Sequence, residues 1–225
     1  MKKTALITIT LLITLMAASC SRDKEPDFRG VKWGMSKQKV KKTETAELVK
    51  EGNEILTYRI GGESSPVEAE GTVKVDVEGA EDTRVTVEVA EIEYEYDLLY
   101  VFGNGKLGMI VVHLRDGFKD PDLYISLFRH RTEETSKKMG EPAAGVAEYG
   151  DFTPKDDPYS SPGEICEGKY ALRHIWPTKN KKTNVSIELD RKKFTPEPDC
   201  NLSVFYESVE HPVDPELAEE LHELL

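Results

Sequence analysis

The sequence predicts an α+β fold, in which helices pack on a mainly antiparallel β-sheet in the order helix, strands, helix, strands. Strand-like runs of alternating apolar residues form two blocks, at residues 48–114 and 169–208. A segment with helix-start signals precedes each block, at Ser36 and at Asp120. Because both blocks share this plan, we expect the helices to lie on one face of the sheet.

The first nineteen residues predict a signal peptide that is cleaved from the mature chain. A cationic head, Met1–Lys3, precedes an uncharged run at residues 4–16, and small residues lead to Cys20. The run is shorter than the ~20 residues that a membrane-spanning helix needs. An uncleaved membrane anchor is the alternative interpretation.

The stretch "LMAASC" at residues 15–20 resembles the lipobox of bacterial lipoproteins. The resemblance implies that Cys20 is the lipid attachment site and carries acyl chains such as palmitate, with residues 20–27 as a short tether. Each buried methylene contributes ~0.8 kcal/mol, so several acyl chains anchor a protein durably. Ser21 stands where an aspartate would retain such a protein at the inner membrane. The resemblance therefore implies a cell-envelope location at the outer membrane, facing the periplasm.

The charge of the chain limits its partners. The formal net charge is -12, and removal of Lys2 and Lys3 with the signal peptide lowers it to -14. A chain this acidic is a poor ligand for nucleic acid, so we expect no nucleic-acid partner. The length after residue 19 suits a single domain at 28–225, with two similar halves at about 28–116 and 117–225.

The first helix is predicted to begin after Ser36, which is a favourable N-cap residue, and to end near Thr43. Met35 and Val40 have the spacing of a hydrophobic staple, and Gly34 permits a sharp entry into the helix. We expect Trp33 to pack into the core.

Two further helices are predicted. Asp120 caps the second, and Gly140 with Pro142 ends it. Asp214 caps the third, at the end of the chain. The buried stripes are predicted to comprise Leu123, Leu127 and Phe128 in the second helix and Leu217, Leu221 and Leu224 in the third.

The β-rich block begins with a strand at 54–60 and continues with a valine-rich hairpin that turns at 78–82. The apolar residues change parity after that hairpin, which predicts a β-bulge near Ala90–Glu91. A second hairpin turns at Gly103–Gly105. Residues 141–165 are predicted to form a loop, and the closing strands to be "KYALRHIW", "NVSIELD" and "NLSVFYES".

Cys166 and Cys200 remain after the lipidated cysteine. An even pair in an exported chain predicts a disulfide. Two free thiols in a weakly oxidising envelope are the alternative.

Several stretches together resemble a recurring type of uncharacterised bacterial exported protein. They are "FRGVKWGMSKQKV", "YVFGNGKLGMIVVHL", "YISLFRHRTEETSKKMGEP", "NVSIELD" and "LSVFYES". More loosely, the pattern is similar to small outer-membrane assembly lipoproteins and to the tandem fold of β-lactamase inhibitor proteins. Those are binding proteins, so the resemblance implies no catalytic residue.

The motifs of common enzymes and metal sites are missing from the sequence. None of the five histidines has a partner at a known metal-ligand spacing, and no nucleophile elbow or phosphate loop occurs. His113 lies in an apolar run and is predicted to be a core or edge residue. Glu91, Glu93 and Glu95 alternate, as on a solvated sheet face. We therefore predict no catalytic residue, no metal and no cofactor.

Charge is unevenly distributed along the chain. Residues 63–97 hold twelve acidic and two basic residues. A cluster of lysines near Cys20 is predicted to contact the membrane surface, where each lysine can contribute ~1 kcal/mol beside anionic lipid. Ordinary solvated faces are the alternative. The cluster comprises Lys32, Lys37, Lys39, Lys41 and Lys42.

These features predict a lipid-anchored cell-envelope protein that binds an unknown envelope protein and is not an enzyme. The alternatives are a small-ligand carrier and a carboxylate-based hydrolase. A carrier needs an apolar cavity, whereas a hydrolase needs a concave pocket with converging titratable groups. A binding module needs an exposed apolar or edge-strand surface instead.

Overall fold

The computed structural model describes residues 28–68, 89–115, 117–148, 158–177, 182–192 and 199–224. The predicted signal peptide, the tether with Cys20, and the turn of the valine-rich hairpin lie outside these residues. Within the described ranges, no helix combines the length and the apolar character that crossing a bilayer would require.

The described residues form one eight-stranded antiparallel sheet and four helices, which confirms the α+β class. The helices are α1 (Lys37–Thr43), α2 (Pro121–Met139), α3 (Pro162–Cys166) and α4 (Pro215–Leu224). The strands are β1 (Glu47–Glu51), β2 (Ile55–Glu68), β3 (Val89–Gly103), β4 (Lys106–Leu114), β5 (Ala143–Glu148), β6 (Tyr170–Trp176), β7 (Thr183–Arg191) and β8 (Cys200–Ser208).

The strand order across the sheet is β1-β2-β3-β4-β8-β7-β6-β5. Strands β1 to β4 follow one another as a meander, and β5 to β8 do the same from the opposite edge. The two meanders join in the centre, where Val112 of β4 pairs with Val204 of β8. This arrangement leaves β1 and β5 as the two edge strands.

Helices α1, α2 and α3 cover one face of the sheet. The core below α1 includes Val40, Leu56 and Tyr100, and the core below α2 includes Phe128 and Ile187. All five side chains are almost completely buried. The regular alternation of apolar residues along these strands therefore explains why this face of the sheet is buried.

Helix α4 packs on the opposite face, so the prediction that all helices share one face is wrong. Leu221 of α4 is buried against Leu99, Val101 and Val111 of the central strands. Strands β3 and β4 contain continuous apolar runs, such as "LLYVF" at 98–102, which place apolar side chains on both faces. Such runs are typical of strands that are covered on both sides.

Several local predictions are confirmed. Asn104 and Gly105 both have positive φ and form the tight turn between β3 and β4, as a two-residue hairpin requires. Asp120 caps α2 by accepting a hydrogen bond from the backbone N–H of Asp122. Helix α1 begins after Ser36, although the Ser36 side chain makes no capping hydrogen bond.

Other local predictions are wrong. The β-bulge predicted near Ala90–Glu91 is not there, because the register between β2 and β3 is regular through these residues. Strand β2 continues to Glu68, and the register shift lies between its residues Ile60 and Glu63. Two consecutive glycines in β2 tolerate this irregularity better than the residues of β3 do. The predicted loop at 141–165 contains strand β5 and helix α3.

The buried stripe of α2 also differs from the prediction. Tyr124 and Ile125 are buried together with Leu127 and Phe128, whereas Leu123 is only half-buried. Tyr124 occupies the core because its hydroxyl donates to the Asp199 carboxylate at 2.9 Å, so the buried ring carries no unsatisfied polar group.

Cys166 and Cys200 form a disulfide, as predicted. It joins the end of α3 to the first residue of β8, and both cysteines are buried.

Candidate functional site

The "WGMS" stretch at 33–36 joins the first half of the chain to the second. The Trp33 indole donates a hydrogen bond to the Thr183 hydroxyl at 2.9 Å. The backbone of Gly34 and Met35 exchanges two hydrogen bonds with Leu107 of β4. Gly34 has a φ of 73°, which favours glycine at this position. Trp33 itself is half-buried, and the whole stretch holds the helix entry against the sheet.

Glu44 is the most deeply buried carboxylate among the ion pairs of the described residues. Its side chain is 0% exposed and accepts from Arg29 at 3.0 Å. It also accepts from the Tyr100 hydroxyl at 2.7 Å and from the backbone N–H groups of Thr45 and Ala46. Burial alone would raise the pKa of Glu44, but the hydrogen bonds together lower it. A carboxylate with so many donors is held as a structural anion, not as a free acid or base.

The predicted lysine cluster divides into two groups. Lys37 and Lys41 both pair with the Glu51 carboxylate, at 3.2 and 2.6 Å. The remaining three, Lys32, Lys39 and Lys42, are exposed and form no ion pair with the described residues. Of the cluster, these three are the lysines whose charge is not paired within the described residues.

On the face that carries α4, the apolar cluster beneath the helix comprises residues of β3, β4 and β8, with Ile55 of β2 packed against it. We call the exposed part of this side of the sheet, on β5, β6, β7 and the C-terminal end of β8, the open face. A row of paired residues, all polar except Gly145, crosses this side of the sheet from β2 to β5. The row comprises Arg59, Asp97, His113, Ser203, Glu188, Arg173 and Gly145.

The centre of the row contains an aspartate, a histidine and a serine on adjacent strands. The His113 Nδ1 atom lies 3.1 Å from the Ser203 hydroxyl, which in turn donates to Asn201. Burial, together with the charge of Lys192, lowers the pKa of His113 to about 4. Ser203 is only 1% exposed, so a substrate could not reach its hydroxyl without rearrangement of the sheet. The side-chain types match a hydrolase triad, but their accessibility does not.

Toward β5, the open face becomes more exposed. The Arg173 guanidinium pairs with Glu188 at 2.7 Å, which is a cross-strand ion pair. Ile175, two residues along β6, is 38% exposed. The sequence analysis predicts only a strand at "KYALRHIW" and does not identify this surface, although the alternation of the strand already separates Arg173 and Ile175 from the buried residues.

Two shallow depressions lie on the open face, with volumes of about 240 and 230 Å³. They share Asn184 and Glu207, and together run from Ile175 to the loop that precedes α4. Val209 at their margin is 46% exposed. Both are smaller than the ~300–1,000 Å³ typical of sites for small molecules.

Among the described residues, no group of three or more histidine, cysteine or acidic side chains has the arrangement of a metal site. Comparisons of the chain with family models, with curated proteins and with solved structures gave no match. The geometry of the described surfaces is therefore the basis for a functional proposal.

Proposed function

We propose that this protein is a lipid-anchored component of the bacterial cell envelope that binds another protein and does not act as an enzyme. The open face is the proposed contact surface. The lipobox-like "LMAASC" supports the anchor at Cys20, and the location at the outer membrane follows from the same resemblance.

The observation that carries the binding proposal is the shape and composition of the open face. It is broad and shallow, and combines exposed Ile175 and Val209 with the polar Asn184 and the Arg173–Glu188 pair. Protein interfaces typically have such apolar positions surrounded by polar groups, with arginine enriched among the contact residues. A carrier would instead enclose its ligand in an apolar cavity.

The ionisable groups of the described residues also favour binding over hydrolysis. Glu44 is saturated with donors, and Ser203 is buried beside a histidine that stays neutral at pH 7. Neither depression is lined by a pair of carboxylates. Acid–base catalysis needs a titratable group within reach of a bound substrate.

Site-specific photo-crosslinking in native cells tests the proposal. A photoreactive amino acid at Ile175, Asn184 or Val209 is expected to yield one shared crosslinked partner. Glu133 on α2 provides the control, because its side chain is 65% exposed and lies on a helix away from the open face. Equal crosslinking from Glu133, or none from the three test positions, would contradict the proposal.

The anchor requires a separate measurement. Cys20→Ala is expected to move the protein from the membrane fraction to the soluble periplasmic fraction. A protein that stays in the membrane with its first nineteen residues attached would contradict lipidation. Intact mass of the mature chain distinguishes the two results.

A further inference from the structure

The two edges of the sheet differ in how they are protected. Strand β1, "ELVKE", carries three charged residues and a register shift between Leu48 and Lys50. Lys37 and Lys41 also reach Glu51 at its end. Charges and bulges on an edge strand are the usual means of preventing pairing with another chain. Strand β1 is therefore protected against strand addition.

Strand β5, "AAGVAE", has neither form of protection. It has no charged residue before Glu148, and its register with β6 is regular over all six residues. Ala143 and Gly145 are exposed. A regular, uncharged edge strand presents unpaired backbone groups that can accept another strand.

Small residues on β5 also leave the side chains of β6 uncovered. Ala143 pairs with Ile175, and Gly145 pairs with Arg173, on the open face. Ile175 is 38% exposed, and the Arg173 side chain is 44% exposed. A large side chain on an added strand could cross the small β5 residue, since strands lie only ~4.8 Å apart. It would then cover Ile175 or stack on the Arg173 guanidinium.

We propose that β5 accepts an extended segment of a partner protein as a ninth, antiparallel strand. The segment would carry bulky apolar or aromatic residues at the two positions opposite Ala143 and Gly145. Basic residues would flank it, because Glu141 precedes β5 and Glu148 ends it, in a chain of net charge -12. This inference rests on the proposed binding function and specifies the type of partner.

In the two antiparallel registers centred at Gly145, a second copy of this chain fits the same edge poorly. If two β5 strands pair antiparallel about Gly145 and Val146, Glu148 of the copy faces Ala143 and lies beside Ile175. If they pair about Gly145 alone, Ala147 of the copy faces Ala143 and is too small to reach Ile175. Neither register covers the exposed side chain, and both bring acidic strand ends together.

Binding of a designed peptide tests the proposal. The probe is fluorescein-labelled KTTFTITK, which places phenylalanine opposite Gly145, isoleucine opposite Ala143 and a lysine opposite each glutamate. The control peptide has the same sequence with N-methyl groups on alternate backbone amides, which removes strand pairing. Fluorescence anisotropy is measured with the full chain in detergent micelles.

Two protein variants locate the binding edge. Gly145→Val should fold, since a Cβ at this glycine would meet its nearest atom, the Arg173 carbonyl oxygen, at 3.5 Å. This variant and Ala143→Lys are each expected to weaken probe binding by about tenfold, which corresponds to ~1.4 kcal/mol. Leu48→Lys places the same charge on the other edge strand, at a 37% exposed position, and should leave binding unchanged.

The proposal is overturned if the probe does not bind, or if N-methylation or the β5 variants leave its affinity unchanged. A concentration-dependent dimer that Gly145→Val dissociates would also overturn it, because a second copy would then occupy the edge. If the peptide tests fail but a partner still crosslinks to the open face, only strand addition is rejected. If the peptide tests fail and no partner crosslinks, the binding function is rejected as well.

Discussion

The Trp33 indole N–H donates to the Thr183 hydroxyl at 2.9 Å, across 150 residues of sequence. Thr183 is the first residue of β7 and is only 2% exposed. The Trp33 ring also packs against Phe28, which in turn contacts Tyr206 of β8. The segment before α1 is therefore attached to the second half of the sheet.

A double-mutant cycle measures this attachment. Trp33→Phe keeps an aromatic ring but removes the donor, and Thr183→Val removes the acceptor. We expect each change to lower the free energy of unfolding by about 1 kcal/mol, with a double-mutant loss smaller than the sum. Urea denaturation gives the values. Fully additive losses would show that the hydrogen bond does not couple the halves.

Glu44→Gln tests the buried anion. The substitution removes the charge that Arg29, Tyr100 and two backbone N–H groups surround, so we expect the free energy of unfolding to fall by about 2–3 kcal/mol. The loss is not larger because Arg29 is partly exposed and solvent screens its charge. Glu51→Gln is the matched control, since Glu51 is also ion-paired, with Lys37 and Lys41, but lies at the surface. Comparable losses from both variants would contradict the structural role of Glu44.

The pH dependence of stability follows from His113. Its folded pKa of about 4 lies below the ordinary value of 6.5, so the unfolded chain binds more protons between these values. Stability is therefore complete above pH 6.5 and falls by up to about 3 kcal/mol as the pH drops to 4. His113→Gln should flatten this part of the profile.

Other polar and charged groups surround His113. Asp97 and Ser203 pair with His113 on either side, and Lys192 lies close enough to affect its charge. Glu44, whose folded pKa is lowered, loses its stabilising contribution as the pH falls below its ordinary value of 4.5. The difference between wild type and His113→Gln should therefore develop above pH 4.5. An unchanged slope from pH 6.5 to 4.5 would contradict the assignment to His113.

The disulfide is expected to contribute substantially to stability. Replacing both Cys166 and Cys200 with alanine removes a link between residues separated by 34 positions. The chain-entropy model gives a loss of about 4 kcal/mol for a loop of this length. Calorimetry of wild type and of the double variant provides the measurement. Equal stability of the two proteins would show that the link does not restrain the unfolded chain.

The sequence predicted local structure more successfully than the arrangement of helices on the sheet. Turn and cap signals at Asn104–Gly105 and Asp120 act through nearby backbone groups, so they were interpretable without tertiary information. The position of α4 depends on which face of β3 and β4 remains uncovered. Continuous apolar runs do not specify that face, because they supply apolar side chains to both.

The candidate surface was also hard to predict, for a related reason. The Arg173–Glu188 pair and the exposure of Ile175 depend on the alignment of β6 between β5 and β7. A one-residue change of register would bury these side chains instead. Cys166 and Cys200 could be paired in advance only because they were the two cysteines left after Cys20.

The lysine cluster near the anchor gives a final prediction. Since Lys37 and Lys41 share one acidic partner, Glu51, whereas Lys32, Lys39 and Lys42 form no ion pair with the described residues, reversal of these three to glutamate should carry most of the effect on membrane contact. We expect the triple variant of a non-lipidated chain to lose binding to vesicles with anionic lipid, with a smaller effect at high salt because of screening. Lys37→Gln is the control: it leaves the Lys41–Glu51 pair in place and removes one charge, so it should reduce vesicle binding much less than the triple reversal does. Cosedimentation with the vesicles provides the measurement, and equal binding of wild type and the triple variant at low salt would reject membrane contact by this cluster.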